Sequence, residues 1–146
     1  MPTMGATHIL AGYPAALTTV SSEAIDQTPF AYYSEMLDGP KGWVDFHNPA
    51  LDLFFRLEGK AELFSGKAED VPRLNGASGC VIWELRRYDG PVWTPEKALR
   101  AIGIQRSSKP ADGWFRATNW RGAVPVLAQL DKAAAEELSA ALHGER

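Results

Sequence analysis

Cysteine is nearly missing from this chain. Cys80 is the single one in 146 residues, so no intramolecular disulfide can form and no cysteine-based zinc site can be assembled. A lone cysteine agrees with a reducing, cytoplasmic setting. Long apolar runs are also lacking. None approaches the ~20 residues that a membrane span needs, and no membrane partner is expected. Basic residues are absent from the first forty positions, which carry Glu23, Asp26, Glu35 and Asp38 for a net charge of −4. Residues 1–20 thus lack the charged start of a secretory signal, and Gly12 and Pro14 interrupt their apolar stretch. The segment reads as mature protein.

What is present describes an ordinary globular chain: 45 % hydrophobic and 23 % charged residues with an overall charge of −3. At this length a core can form without disulfides or a structural metal. No linker, repeat or low-complexity stretch divides the chain, so a single domain over residues 1–146 is expected. The charge is unevenly spread. Residues 86–121 hold Arg86, Arg87, Lys97, Arg100, Arg106, Lys109, Arg116 and Arg121 against Asp89, Glu96 and Asp112, a net +5. Tyr88, Trp93, Trp114, Phe115 and Trp120 are interleaved with them. That combination suits a surface for an acidic protein partner or, with less support in an acidic chain, for nucleic acid. The competing reading spreads these charges over several elements that never form one patch.

Local pattern places the elements. Runs at 6–11 and 15–20 flank Gly12-Tyr13-Pro14 and suggest a first hairpin. A short helix is expected over 29–37, with Phe30, Tyr33 and Met36 or Leu37 on one side. Residues 42–47 alternate as a strand, with Trp43, Asp45 and His47 on one face and Val44 and Phe46 on the other. Residues 48–66 fit either a helix capped by Asn48 and started by Pro49 or a hairpin turning at Gly59. The ~1 kcal/mol cost of glycine inside a helix tips the reading to the hairpin. Residues 80–86 form the clearest strand, with Val81, Trp83 and Leu85 expected inward and Ile82, Glu84 and Arg86 outward. A helix over 95–102 starts at Thr94-Pro95 and stops at Gly103, and 105–113 reads as a loop. Residues 114–120 alternate with Phe115 and Ala117 inward, 124–127 look like an edge strand because of Pro125, and a final helix over 131–142 is capped by Asp131. The expected class is α+β: a mainly antiparallel sheet with helices packed on one face.

The pleat then gathers Trp43, Ile82, Glu84, Arg86, Trp114, Arg116, Thr118 and Trp120 with Asp45 and His47 on the face away from the core. Trp beside Arg is the pairing enriched at binding hot spots. Trp43, Arg86, Trp114, Arg116 and Trp120 are therefore the candidate binding residues. The bland alternative buries these tryptophans as core under a covering helix. Asp45 and His47, two apart on one strand face, can serve as an acid/base pair, and Glu84 joins them as a third candidate catalytic group. The alternative for His47, next to Asn48-Pro49, is a plain turn residue. A metal site from Asp45, His47 and Glu84 has only weak support, so no metal or cofactor is assigned. Residues 75–80 lack both the phosphate-loop ending and the nucleophile-elbow spacing, and Cys80 reads as a small core residue. The leading functional reading is a small protein-interaction module, such as an immunity protein or a mobile-element-encoded inhibitor. A small enzyme built on Asp45 and His47, and a nucleic-acid binder built on 86–121, are the alternatives.

Overall fold

The computed structural model describes residues 2–13, 18–40, 42–58, 60–63, 68–70, 74 and 77–143. Its strands are β1 (Thr7–Gly12), β2 (Thr18–Val20), β3 (Ile25–Gln27), β4 (Phe30–Leu37), β5 (Asp52–Arg56), β6 (Lys60–Leu63), β7 (Ala68–Asp70), β8 (Val81–Leu85), β9 (Leu99–Lys109) and β10 (Trp114–Asn119). The helices are α1 (Pro95–Ala98), α2 (Trp120–Leu130) and α3 (Lys132–His143), and a 3-10 turn at Pro110–Asp112 joins β9 to β10. Six strands pair in the order β1-β8-β9-β10-β5-β4, and β4 pairs back onto β1, which closes an antiparallel barrel. The eight-residue β4 shares its second edge: Phe30 and Ala31 pair with β6, while Met36 and Leu37 pair with β5. A β2–β3 hairpin forms a separate two-stranded sheet.

A six-stranded barrel is too narrow for a lumen and fills with side chains. Leu10, Phe30, Tyr32, Phe55, Leu57, Ile82, Ile102, Phe115 and Ala117 form that filling, with Leu74 and Ala77. Phe55 and Phe115 stack at 5.1 Å between centroids, and the Tyr32 ring meets Phe115 edge-on at 6.2 Å. The buried Tyr32 hydroxyl donates to the Glu58 carbonyl at 2.7 Å and accepts from the Glu58 N–H at 2.8 Å, so its polar end is satisfied. Strand β9 is bent round the barrel by two bulges, in which Ile102 and Arg106 are the extra residues opposite β8 and β10. Cys80 packs half-buried against the core, as a small apolar residue would.

Several elements differ from expectation for identifiable reasons. The sheet buries its inner face by closing on itself, so helices do not cover it; α2 and α3 pack on each other, and α2 touches only β9 and β10 among the strands it contacts appreciably. Residues 30–37 are a strand, because Phe30, Tyr32, Ser34 and Met36 alternate inward while Tyr33 and Glu35 face out. Their aromatic-rich composition suits a pleated, half-buried surface. β1 pairs with β4 and β8, and residues 14–17, where the turn of the expected first hairpin falls, lie outside the described residues. Two strands do fall within 48–66, yet β5 pairs with β10 and β4, while β6 pairs with β4 and β7; Gly59 lies outside the described residues. The helix begun at Pro95 stops after Ala98, since Leu99 onward pairs with β8, and β9 runs on to Lys109 through the expected loop. Residues 124–127 are helical despite Pro125, within α2, whose N-cap Asn119 accepts a hydrogen bond from the Arg121 N–H. The last helix starts where expected, with Asp131 Oδ1 accepting from the Ala134 N–H at 3.1 Å.

Candidate functional site

The connection from β4 to β5 carries the most exposed aromatics near a braced site. Residues 42–51 form a loop, which includes the 42–47 segment expected as a strand. Their alternation finds no neighbouring strand to pair with, so pattern alone misleads there. Trp43 is 75 % exposed and Phe46 is 90 % exposed. Phe46 also has φ +51°, the left-handed region that a bulky residue adopts only where its surroundings impose it.

The surroundings impose it from the outer wall of the barrel. Trp114 and Arg116 face outward from β10, opposite to Phe115 and Ala117, as the alternation predicts. Arg116 Nη1 donates to the Asp45 carbonyl at 3.1 Å and Lys109 Nζ donates to the Trp43 carbonyl at 3.4 Å. Asp52 Oδ2 accepts from the Asn48 N–H at 2.9 Å, and the Asn48 carbonyl accepts from the N–H groups of Leu51 and Asp52 at 3.0 and 2.8 Å. The His47 ring sits edge-on to Phe54 at 5.3 Å, and Phe54 sits edge-on to the buried Trp114 at the same separation. Beneath the loop the Asp52 carboxylate is matched by Arg116 at 3.7 Å and Arg106 at 3.6 Å, and Arg116 Nε donates to Ser107 Oγ at 3.2 Å. A cavity of about 220 Å³ opens beside this loop, lined by Met4, Met36, Leu37, His47, Leu53 and Phe54 among others.

Glu84 lies elsewhere. The strand over 81–85 forms as expected but with its faces inverted: Ile82 and Glu84 point into the barrel, while Trp83 is half-buried and Leu85 exposed on the outside. Asp45 and His47 are both exposed on the loop, so the structure does not bring Glu84 to them. Its neighbour is His8, the cross-strand partner on β1. The Glu84 carboxylate accepts from Arg100 Nη2 at 2.6 Å and from the Thr3 backbone N–H at 2.6 Å. His8 Nε2 stands 3.6 Å from the same carboxylate, too far for a hydrogen bond. The His8 ring is fully buried and packs edge-on against Phe55 at 5.1 Å. Among the described residues neither nitrogen makes a hydrogen bond of ordinary length, but the Glu84 carboxylate and the Ala6 backbone stand close enough to act on the ring. Burial pushes the imidazole pKa below its ordinary 6.5, outweighing the pull of the Glu84 carboxylate, so His8 is neutral at neutral pH.

Of the candidate binding residues, Trp43, Trp114 and Arg116 come together around the loop. Arg86 lies exposed just past β8, and Trp120 opens α2 half-buried. The positive stretch does not become one basic face. Arg100 pairs with Glu84, Arg106 and Arg116 with Asp52, Lys109 with Asp112 at 2.7 Å, and Arg87 with Asp89 at 3.1 Å. Sequence reasoning did not single out Asp52 or His8, placed Phe46 with Val44 on one face of a strand, and named Arg100 only within the basic stretch 86–121. For His8 a signal existed, since it alternates with Leu10 in a short β-type run. For Asp52 none did, because its partners are distant in the chain.

Among the described residues no three His, Cys, Asp or Glu side chains gather to hold a metal ion, and no helix is long and apolar enough to cross a membrane. Comparison of the chain with family models, with curated proteins and with solved structures returns no match.

Proposed function

We propose that this chain is a protein-interaction module that inserts Trp43 and Phe46 into a concave apolar site on a partner protein. The observation that carries this reading is the pairing of highly exposed aromatics with a backbone braced by side-chain hydrogen bonds. Phe46 is 90 % exposed in a left-handed conformation, while Arg116 and Lys109 hold the carbonyls of Asp45 and Trp43. A free aromatic loop would fold its side chains onto the barrel; this one is braced with them outward. Aromatic anchors held in place before binding contribute most of the affinity at protein interfaces, because little conformational freedom is lost on association.

The charge around the loop selects the partner class. A nucleic-acid site needs unengaged cations beside the stacking rings, whereas Arg106 and Arg116 face Asp52 and Lys109 faces Asp112. Asp45, between the two aromatics, adds a carboxylate that phosphates and anionic lipid would repel. Protein surfaces accommodate such a carboxylate at the polar rim of an apolar contact. Inhibition of the partner, as by an immunity protein or a mobile-element-encoded inhibitor, is the finer form of the same reading.

The test places a photo-crosslinking amino acid at position 46 in the producing cells, identifies the adduct, and titrates the purified partner with the unmodified chain and its variants. Trp43→Ala with Phe46→Ala is expected to weaken binding by about 100-fold or more, in line with the loss of two hot-spot residues. Unchanged affinity in the double variant, or association with vesicles or nucleic acid that depends on both aromatics, overturns the reading.

A further inference from the structure

An exposed aromatic ring and a cavity with room for such a ring lie side by side at the loop. The cavity of about 220 Å³ is walled by Met4, Met36, Leu37, His47, Leu53 and Phe54, among others. A cavity of about 150 Å³ lined by aliphatic and aromatic side chains accepts benzene, so this one has room for a phenyl group. The two methionines on its wall suit it to one, since thioether sulfur makes favourable contacts with aromatic rings. Phe46 precedes the wall residue His47 in the chain, yet its ring is 90 % exposed and so stands outside its own cavity. The Arg116 bond to the Asp45 carbonyl and the φ of +51° at Phe46 fix the backbone in that course.

A protrusion and a hollow on one face are what a twofold contact requires. Two copies related by a twofold axis can then fill each other's hollow and leave neither open. The area agrees. Aromatic side chains bury roughly 150–250 Å² each. With Trp43 at 75 % and Phe46 at 90 % exposure, two copies bring roughly 500–800 Å² of aromatic surface to the contact. The receiving surfaces lose about as much, and the total of roughly 1,000–1,600 Å² clears the ~1,000 Å² that a specific interface needs. Met4, 51 % exposed on the cavity wall, belongs to that receiving surface.

Resting on the reading of the loop as a protein contact, we propose that its partner is a second copy of this chain. The Phe46 ring of each copy enters the cavity lined by Met36, Leu37 and Leu53 of the other, and Trp43 closes over the exposed Met4. Asp38 on the cavity wall and Asp45 beside the ring carry the same sign in both copies. Self-association should therefore tighten as salt rises from about 0.1 to about 1 M and the Debye length falls from about 10 to about 3 Å, whereas a cationic partner would bind more weakly.

Sedimentation equilibrium of the purified full chain up to about 1 mM, the range of weak association, tests this. A monomer–dimer equilibrium is expected, and Phe46→Ala, which removes both protrusions of a dimer, should weaken it by about 100-fold or more. Leu37→Trp, which fills the hollow, should do the same. An equal mixture of the two variants has one protrusion and one open hollow per pair, so it should associate at least about tenfold more tightly than either variant alone. A chain that stays monomeric, a dimer indifferent to Phe46→Ala, or one that weakens with salt overturns the proposal. If Leu37→Trp does not fold, a photo-crosslinking amino acid at position 46, in a mixture of isotope-labelled and unlabelled chains, decides. Mixed-isotope adducts at Met4, Met36 or Leu37 support the proposal, and adducts confined to one chain overturn it. A monomeric chain whose capture of a different protein still depends on Trp43 and Phe46 overturns this proposal alone and leaves the loop reading standing.

Discussion

Arg116 and Asp52 face each other on the outer wall of the barrel, Nη1 lying 3.7 Å from Oδ2, and the same Nη1 donates to the Asp45 carbonyl at 3.1 Å. One guanidinium therefore neutralises a buried carboxylate and fixes the loop above it. Arg116→Met should destabilise the fold by about 1–3 kcal/mol; Asp52 keeps Arg106 and the Asn48 N–H as partners, which limits the loss below that of an orphaned buried charge. Urea denaturation measures the stability. Amide exchange of residues 45–48 should accelerate more than exchange in β10, and equal acceleration throughout would show that the loop is not braced by this contact.

His8 makes stability depend on pH with a definite sign. Its pKa in the folded chain is below 6.5, while the unfolded chain titrates near 6.5. Above pH 6.5 the group is neutral in both states and has no effect. As pH falls from about 6.5 toward the folded pKa, only the unfolded chain takes up the proton, so stability is lost at up to about 1.4 kcal/mol per pH unit from this group. Of the charged groups facing it, Glu84 moderates the effect and Arg100 reinforces it. His8→Gln should flatten the urea midpoint between pH 7.5 and about 5.5 relative to the parent, the carboxylate contributions cancelling in the difference. Parallel profiles for the two chains would show that burial does not depress this imidazole.

How much of this was legible in the sequence depends on how far each residue's partner lies along the chain. In β10 the alternation of Phe115 and Ala117 with Trp114 and Arg116 reads correctly, because neighbours decide it. In β8 the strand reads correctly but its faces do not. Val81, Trp83 and Leu85 are the more apolar set, yet the barrel interior takes Ile82 and Glu84. The carboxylate is tolerated there through Arg100 and Thr3, sixteen and eighty-one positions away. Residues 42–47 show the opposite failure: a clean alternation that lies in a loop, with no strand paired to it among the described residues. Barrel closure itself rests on β1 pairing with both β4 and β8, a long-range relation that no local window contains.

Gly103 on β9 is the register partner of Ile82 on β8 and of Asn119 on β10. A Cβ placed on it would stand 2.6 Å from the Thr118 carbonyl oxygen, a backbone atom of the adjacent strand that cannot swing aside. Gly103→Ala should therefore cost about 1–3 kcal/mol through displaced backbone. Gly39→Ala is the control, since nothing lies within 4 Å of its Cβ, and its effect should stay within about 0.5 kcal/mol. Thermal melts of the two variants compare them directly, and equal midpoints would contradict the close strand approach.

Phe46 should separate stability from binding. A non-glycine residue in the left-handed region costs about 1–2 kcal/mol, and glycine adopts it freely at an entropic cost of about 0.5–1 kcal/mol in the unfolded chain. Phe46→Gly should then raise stability by about 0.5–1 kcal/mol while removing the most exposed aromatic of the loop. On the proposed reading, the cost to folding is offset by contact with a partner, since the 90 % exposed ring touches little of its own barrel. The variant should melt later than the parent and bind the crosslinked partner more weakly. If it melts earlier, the ring stabilises the chain itself, and the exposed aromatic no longer argues for a partner.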